Sequence, residues 1–490
     1  TEAFVPRSYS QHENMAACQN RYEHADVTCS QSRRKSFQRK QKNDDPCSSV
    51  HPFPPGWKTP AYHAFAAGKQ GASTNGMPMK CNERHTMETK ETLQSLDEWS
   101  RQELKDILDF YINYDYDPKG GFYGAVLRTL EPVREADRSI VLNARLMWTF
   151  ASAYRLLKDP RYLEMANHAK DYIKEHFVDK EYGGAYWVVD AHGNPVDESK
   201  YPYGIAFIIY GGAELARASG SKDGLKLARD MYEALEKHAL DSKHGGYFET
   251  FTRDWKRRDD SFNIPDPSLG SKALNTHLHM IESYTTLMLV DDDPKLRKTV
   301  GELIDIMTNK LLDQEYFHYK PYMTDDWKST DTLFSFGHDI EGAWLLTEAA
   351  EAYGGKELVE KCKPVSVRIA DACADGINPD TGGLYAEANE HGLVDRQMSW
   401  WVQSEAVIGF FNAFQLTNDP KYLALTMNVV DYIRNYVSDH SDGKFREWLS
   451  RGDLDAQDGD NEFRVNAWKG PYHNGRMCME LIERIAKMQA

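Results

Sequence analysis

Asp117-Pro-Lys-Gly-Gly121-Phe-Tyr, Asp179-Lys-Glu-Tyr-Gly-Gly184-Ala-Tyr, Asp241-Ser-Lys-His-Gly-Gly246-Tyr-Phe, Asp313-Gln-Glu-Tyr-Phe317, Asp380-Thr-Gly-Gly383-Leu-Tyr and Asp439-His-Ser-Asp-Gly443-Lys-Phe are six versions of one turn, spaced roughly sixty to seventy residues apart. An Asp followed by one or two Gly supplies a turn with positive φ, and the aromatic residues after it suit a short β-hairpin. Self-similarity at a fixed period marks a repeat architecture. Six such units around a circle make a closed barrel.

Two helical patterns lie between successive turns. Ile140 to Leu157 places Val141, Ala144, Trp148, Ala151 and Tyr154 at spacings of three and four. Asp159-Pro160 then breaks the helix, and Tyr162 to Phe177 forms the next. The same punctuation recurs at Asp293-Pro294 and Asp419-Pro420, with Ser221 to Gly224 and Gly354-Gly355 in equivalent places. The first helix of each pair is the more apolar (203–215, 340–350, 401–414), and the second carries more charge (298–310, 359–371). That pattern predicts an inner buried ring and an outer amphipathic ring. An opening helix over 93–114 and a last helix over 474–488 complete twelve. The fold class expected is all-α, an (α/α)6 barrel of six helical hairpins with short β-hairpin turns at the mouth.

A length of 490 residues would by itself suggest about three domains, but the repeat runs unbroken from Glu91 to Lys487. One barrel domain over 87–490 is therefore expected. A 41% hydrophobic and 12% aromatic composition is ample for its core. No apolar run approaches the roughly 18 residues of a membrane span, and a net charge of −16 argues against a nucleic-acid surface. Residues 1–86 differ: 12 Lys+Arg against 7 Asp+Glu give them +5, which leaves −21 for the rest. This segment shows no periodicity and reads as a disordered or extraneous N-terminal leader. Cys18, Cys29, Cys47 and Cys81 lie in it, and only Cys362, Cys373 and Cys478 lie in the repeats. With no C-x-x-C pair and no zinc spacing, a reducing, cytoplasmic setting is expected and no metal centre.

Such a barrel gathers the starts of its inner helices around one mouth. Those starts read Arg145, Tyr203, Asn275 with His279, His338 with Glu341, Trp400-Trp401 with Glu405, and His473-Asn474. His279 to His338 is 59 residues, His338 to Trp401 is 63 and Trp401 to His473 is 72, close to the repeat period. Asn275 and His279 share a helix face, as do His338 and Glu341, and Trp401 and Glu405. A lone His in a buried helix is more often a hydrogen-bonded core residue, an isolated Arg a salt bridge and an isolated Trp pair core packing. Three His at one phase of a repeat shift the balance to function. Tryptophan faces beside them suit stacking on pyranose rings. His168, His176 and His238 fall on outer helices and are expected to be solvated, and His277 points elsewhere.

Gly337-His-Asp-Ile-Glu-Gly-Ala-Trp-Leu-Leu346, Trp400-Trp-Val-Gln-Ser-Glu-Ala406, Asn275-Thr-His-Leu-His279 and Lys469-Gly-Pro-Tyr-His-Asn-Gly-Arg-Met477 resemble the signature segments of the cellobiose 2-epimerases, within the N-acylglucosamine 2-epimerase superfamily. The resemblance covers essentially all of 88–490. It implies that His338 and His473 are the acid/base pair and His279 a third essential histidine. It further implies that Arg145 stands near the reacting sugar's oxygens. Asn275, Glu341, Trp344, Trp400, Trp401 and Glu405 match sugar-contacting positions, as does Tyr203, for which Tyr210 is the neighbouring alternative.

The reaction implied is epimerisation at C2 of the reducing-end unit of a β-1,4-linked disaccharide. It takes cellobiose to glucosyl-mannose and lactose to epilactose through a cis-enediol(ate). Histidine suits both proton transfers because its pKa lies near working pH. No metal or nicotinamide is required, and no G-x-G-x-x-G follows a strand. A small-molecule disaccharide is the partner expected, with no nucleic acid and no membrane, for a monomer or weak homodimer. Within the superfamily the alternatives are an N-acylglucosamine 2-epimerase and a mannose isomerase. Outside that chemistry stand an (α/α)6 glycoside hydrolase using Glu341 and Glu405 as its carboxylate pair, and a non-catalytic sugar-binding barrel.

Overall fold

The computed structural model describes residues 81–489, apart from 330, 454, 455 and 457. The leader expected over 1–86 therefore lies outside the described residues except for its last six, where α1 begins at Cys81 and runs on through Met87. Twelve α-helices are described: α1 (Cys81–Phe110), α2 (Ile140–Leu157), α3 (Pro160–Tyr172), α4 (Pro202–Ser219), α5 (Lys222–His238), α6 (Leu274–Met288), α7 (Pro294–Ile306), α8 (Phe336–Tyr353), α9 (Lys356–Ala374), α10 (Trp400–Thr417), α11 (Pro420–Tyr432) and α12 (Tyr472–Gln489).

The even-numbered helices form a closed ring. Each packs on the next, and α12 returns to α2. Outside each lies one odd-numbered helix, α3 on α2, α5 on α4 and so on, with α1 against α12. The chain is thus an (α/α)6 barrel. Burial follows from the ring: every side chain from Ile140 to Ala153 of α2 is buried. On α3 only a stripe is, made by Tyr162, Met165, Ala166, Ala169, Lys170 and Tyr172 at helical spacing. Among the described residues no helix is long and apolar enough to cross a membrane.

Local chemistry sets the helix ends. Lys158 and Asn418 adopt left-handed φ to close α2 and α10. Asp159 and Asp419 then cap α3 and α11, each accepting from the backbone N–H two residues on, with Pro in the first turn. α1, α3, α7 and α11 each continue into one π-helical turn (Tyr111–Asp115, Ile173–Phe177, Met307–Leu311, Ile433–Val437) that delivers the chain to its Asp turn.

All six turns close on an antiparallel bridge: Tyr116 with Phe122, Val178 with Ala185, Leu240 with Tyr247, Leu312 with Tyr319, Ile377 with Leu384, and Ser438 with Trp448. Gly184 shows why glycine is needed, since its φ is 68° and a Cβ there would lie 2.6 Å from the Trp255 ring. The degenerate fourth turn has Phe317 at φ 61° instead. The fifth turn opens on Asn378 rather than Asp380, because Asn378 Oδ1 accepts from the Asp380 and Thr381 N–H groups, as Asp179 Oδ1 accepts from Glu181 and Tyr182.

Short antiparallel strands lock these turns together. β1 (Val126–Leu127) pairs with β10 (Phe463–Val465) and so joins the first unit to the last. β2 (Arg138–Ser139), β3 (Val188–Val189) and β4 (Pro195–Asp197) make one small sheet, and β5 (Lys272–Ala273) pairs with β6 (Tyr322–Met323). β7 (Phe334–Ser335), β8 (Glu387–Asn389) and β9 (Gly392–Asp395) make another. In four units the turn's Asp is held by a buried cation standing ahead of an inner helix. The pairs are Asp117–Arg138 at 2.5 Å, Asp179–Lys200 at 2.9 Å, Asp241–Lys272 at 2.8 Å and Asp439–Arg464 at 2.5 Å.

Removing one partner of such a pair leaves a buried charge uncompensated. Lys272→Met is therefore expected to cost about 3–5 kcal/mol in urea unfolding at neutral pH. A loss of only a few tenths of a kcal/mol would show the pair behaving like a surface contact. Burial raises the Asp241 pKa, but Lys272 and the Lys243 and His244 N–H groups more than offset that and hold it at about 2. A depressed folded-state value means this contribution is complete above the ordinary carboxylate range and is lost as pH falls through about 2.

Candidate active site

All six inner helices contribute side chains to one cluster inside the mouth. His338 and His473 stand in the first turns of α8 and α12, and His279 in the second turn of α6. Three residues after each comes a charged group, Glu282, Glu341 and Arg476, on the same helix face and one turn deeper. Arg476 collects the carboxylates of three helices. Its Nη2 donates to Glu341 Oε1 at 2.5 Å and to Glu405 Oε1 at 2.8 Å, and its Nη1 donates to Glu282. All four side chains are buried.

This layer supports the imidazoles above it. His473 Nδ1–H donates to Glu405 Oε1 at 2.7 Å and His279 Nδ1–H to Glu282 Oε2 at 3.0 Å. A neutral imidazole donating from Nδ1 leaves Nε2 as a free acceptor. His338 is half-buried and packs on Trp401, ring centroids 4.9 Å apart; His473 lies 5.7 Å from the same indole. Gly337 permits that approach, since a Cβ there would meet Trp401 at 2.6 Å.

Burial keeps all three rings neutral. It lowers His338 to about 4, with His279 adding to the effect, and lowers His279 despite its bond to Glu282. His473 falls well below the usual histidine range through burial together with Arg145 and Arg476. Among the carboxylates, burial and neighbouring Glu405 push Glu341 well above its ordinary value, and its Oε2 has no hydrogen-bond partner. Glu282, which burial would raise, is held down chiefly by Arg476.

Arg145 reaches across the mouth, donating from Nη2 to the Tyr203 hydroxyl and from Nη1 to the Trp468 carbonyl, both at 3.0 Å. Tyr203 rather than Tyr210 is therefore the mouth residue, because Tyr210 stacks on Trp148 within the barrel. Asn275 is half-buried and donates to Asn263 Oδ1 at 3.0 Å. Outward of Tyr203, Phe262 stacks on Trp187 at 5.0 Å and meets Trp468 at 5.4 Å, giving an aromatic rim.

The two tryptophans expected to act together are separated. Trp401 sits between His338 and His473, whereas Trp400 is buried with the Lys469 ammonium 5.8 Å from its ring. Trp344 is fully buried behind the site and donates to Glu405 Oε2 at 3.0 Å. Sequence reading passed over Arg476, Glu282, Asn263 and the aromatic rim. The i, i+3 spacing that singled out Glu341 beside His338 also marks Glu282 and Arg476. His168 is not solvated as expected, because its Nε2 bonds the Gly121 carbonyl at 2.8 Å and its ring packs on Tyr116. His277 is a structural histidine bound to the Ala273 carbonyl and the Tyr247 N–H.

Glu341, Glu405 and His473 present ligand atoms within 4.8 Å of one another, close enough for a metal ion. Arg476 already donates to both carboxylates and His473 to one of them, so a cation there would have to displace a guanidinium. A groove of about 1450 Å³ on the outer wall, beside Arg297, Tyr353 and Lys361, contains none of the candidate residues.

Comparison with known proteins identifies relatives along most of the described chain. The N-acylglucosamine 2-epimerase (GlcNAc 2-epimerase) family matches residues 121–473. A cellobiose 2-epimerase of Bacteroides fragilis is 37% identical over 393 residues, covering 79% of this chain and 100% of that protein. A sugar epimerase from a ruminal bacterium, 35% identical, superposes with a TM-score of 0.75 over 79% of this chain and 98% of its own. The cellobiose 2-epimerase of Bacillus thermoamylovorans, 31% identical, gives 0.74 over 80% and 100%.

The charge layer has a direct test. Arg476→Gln leaves buried carboxylates without their counter-charge and is expected to cost about 3–5 kcal/mol in denaturant unfolding. Glu341→Gln keeps an oxygen to accept from Arg476 and removes the carboxyl whose pKa burial and Glu405 raise, so it should change stability by less than about 1 kcal/mol. Equal losses for the two variants would mean that Glu341 carries a full negative charge.

Proposed function

We propose that this chain, which belongs to the N-acylglucosamine 2-epimerase family, interconverts glucose and mannose at the reducing end of β-1,4-linked disaccharides such as cellobiose and lactose, with no cofactor. One observation carries the reading: three neutral imidazoles share the mouth, two with the tautomer fixed by a carboxylate, beside Arg145. Opening of the hemiacetal exposes a C1 aldehyde and makes the C2 proton acidic. One imidazole removes that proton, an enediol(ate) forms, and an imidazole on the other side returns a proton to the opposite face. His338 on α8 and His473 on α12 take these two parts. Arg145, held by Tyr203 and the Trp468 carbonyl, stabilises the oxygen charge that develops at C1.

Trp401, half-buried between the two histidines, suits the reacting pyranose, and the rim of Trp187, Phe262 and Trp468 offers a second platform for the other sugar. That second platform, with the similarity to cellobiose 2-epimerases, favours a disaccharide over N-acylglucosamine or mannose. A hydrolase would need carboxylates facing each other across a scissile bond. Glu341 and Glu405 instead converge, fully buried, on one guanidinium nitrogen.

Incubation with cellobiose should yield glucosyl-mannose; release of glucose would identify a hydrolase, and no turnover a binding protein. His338→Ala and His473→Ala are each expected to lower kcat by about 10²–10⁴-fold with the fold retained by circular dichroism. Either variant keeping half the wild-type kcat would sink the two-histidine assignment. In D₂O, NMR should find deuterium at C2 of the product, since the proton passes through an exchangeable base.

The pH profile follows from burial. With His338 lowered to about 4, its base form is lost only as pH falls toward that value. The acid limb of kcat should therefore fall clearly below the ordinary histidine pKa of about 6.5. A limb centred at the ordinary value would place the essential base in water rather than in the buried mouth.

A further inference from the structure

Glu249 takes no part in the chemistry above, yet it is buried and fully engaged. Its Oε1 accepts from the Ala273 N–H at 2.9 Å, directly before α6. Its Oε2 accepts from the Thr276 hydroxyl at 2.7 Å and from Asn263 Nδ2 at 3.0 Å. Asn263 also donates to Thr276 Oγ1 at 3.0 Å, and its Oδ1 accepts from Asn275 Nδ2 at 3.0 Å. The chain of contacts ends at Asn275 Oδ1, which is buried and has no partner.

The polarity of that chain follows from the carboxylate. An ionised carboxylate only accepts, so Asn263 must turn its NH₂ toward Glu249 and its carbonyl toward Asn275. Asn275 must then turn its own NH₂ inward, which leaves its carbonyl as the free group. Burial raises Glu249 to about 7, opposed by the Thr276, Asn263 and Ala273 donors, so the accepting form prevails on the alkaline side of that value. The same Asn263 follows Phe262, whose ring packs on Tyr203 at 5.3 Å and on Trp187 and Trp468. One contact thus seats the aromatic rim as well as the amide.

We infer that Glu249 is a positioning residue for the proposed sugar epimerisation: through Asn263 it fixes Asn275 with its carbonyl toward the mouth, as an acceptor for a substrate hydroxyl, and holds Phe262 in the rim. The inference rests on the epimerase reading, and Glu249 itself touches no substrate. Because the acceptor acts on bound sugar rather than on the proton in flight, its loss shows in KM more than in kcat.

The experiment compares wild type with Glu249→Gln, Asn263→Ala and the double variant, assayed with cellobiose on the alkaline side of the Glu249 pKa. Gln has one acceptor oxygen where Glu249 has two, so its NH₂ must meet a donor at either the Ala273 or the Asn263 end, while Asn263→Ala removes the relay from a half-buried loop position. Each single variant is expected to raise KM roughly tenfold, the loss of about one hydrogen bond, with kcat changed less than about threefold. The double variant should lose no more than the worse single, because both changes cut one chain. Unchanged KM in both single variants, or losses that multiply in the double, would overturn the positioning role. If Glu249→Gln fails to fold, Asn263→Ala alone still decides, since its KM must rise. Wild type that does not epimerise cellobiose would instead overturn the functional reading, so the two failures are distinguishable.

Discussion

Three carboxylates from α6, α8 and α10 converge on the guanidinium of Arg476 on α12, and the site above them depends on that convergence. Buried carboxylates without a counter-charge repel one another and open the ring. A single planar guanidinium, with several donors in fixed directions, holds them at once. The price is a residual excess of negative charge, and burial with neighbouring Glu405 pushes the Glu341 pKa well above its ordinary value. Four inner helices are thus fixed in rotation about their own axes, so the side chains one turn nearer the mouth are fixed as well.

The mouth itself is set by the turns. Each outer helix ends at an Asx turn whose bridge returns the chain to the start of an inner helix. In four units a buried ion pair joins the turn's Asp to a cation just ahead of an inner helix. Buried pairs of this kind add little net stability over an apolar alternative, but breaking one is costly, so they specify where the helix begins. Registration of helix starts is what a site built from six separate helices requires. The unit lacking Gly, at Asp313, reaches the same bridge with Phe317 in the left-handed region.

Much of this was legible in the sequence because it is local and repeated. Asp-Pro caps, Gly after Asp and the contrast between apolar and charged helices are short-range signals, and their period alone gave the barrel and its ring of helix starts. What escaped was set by partners far along the chain. Nothing local to Trp400 and Trp401 tells which ring turns to the histidines; Gly337 on the neighbouring α8 makes room for Trp401. His168 looked like a surface residue on an outer helix until the first Asp turn was seen folded onto it. Asn378 replaced Asp380 because an amide oxygen opens an Asx turn as well as a carboxylate does. Arg476 and Glu282 were legible in principle, by the spacing that marked Glu341.

A carboxylate bonded to an imidazole ordinarily raises its pKa and favours the imidazolium. His473 shows the opposite result: burial lowers it most, and Arg145 and Arg476 add their repulsion. Glu405 Oε1, which accepts from His473, accepts also from Arg476 Nη2. The carboxylate's charge is already engaged by a cation that repels a second one, so the bond to His473 orients the ring without charging it. Arg145, 4.8 Å above the Tyr472 ring, adds to that repulsion from the mouth side. His338 reaches the same neutral state by another route, with packing on Trp401 in place of a carboxylate contact. The two imidazoles are thus matched in protonation but unequal in support. When a proton arrives, His473 has Glu405 hydrogen-bonded to it to take part of the new positive charge, whereas His338 feels Glu405 only through space and packs on the indole face. In the proposed epimerisation that asymmetry would give the two faces of C2 different intrinsic barriers, even though the overall equilibrium is set by the sugars alone.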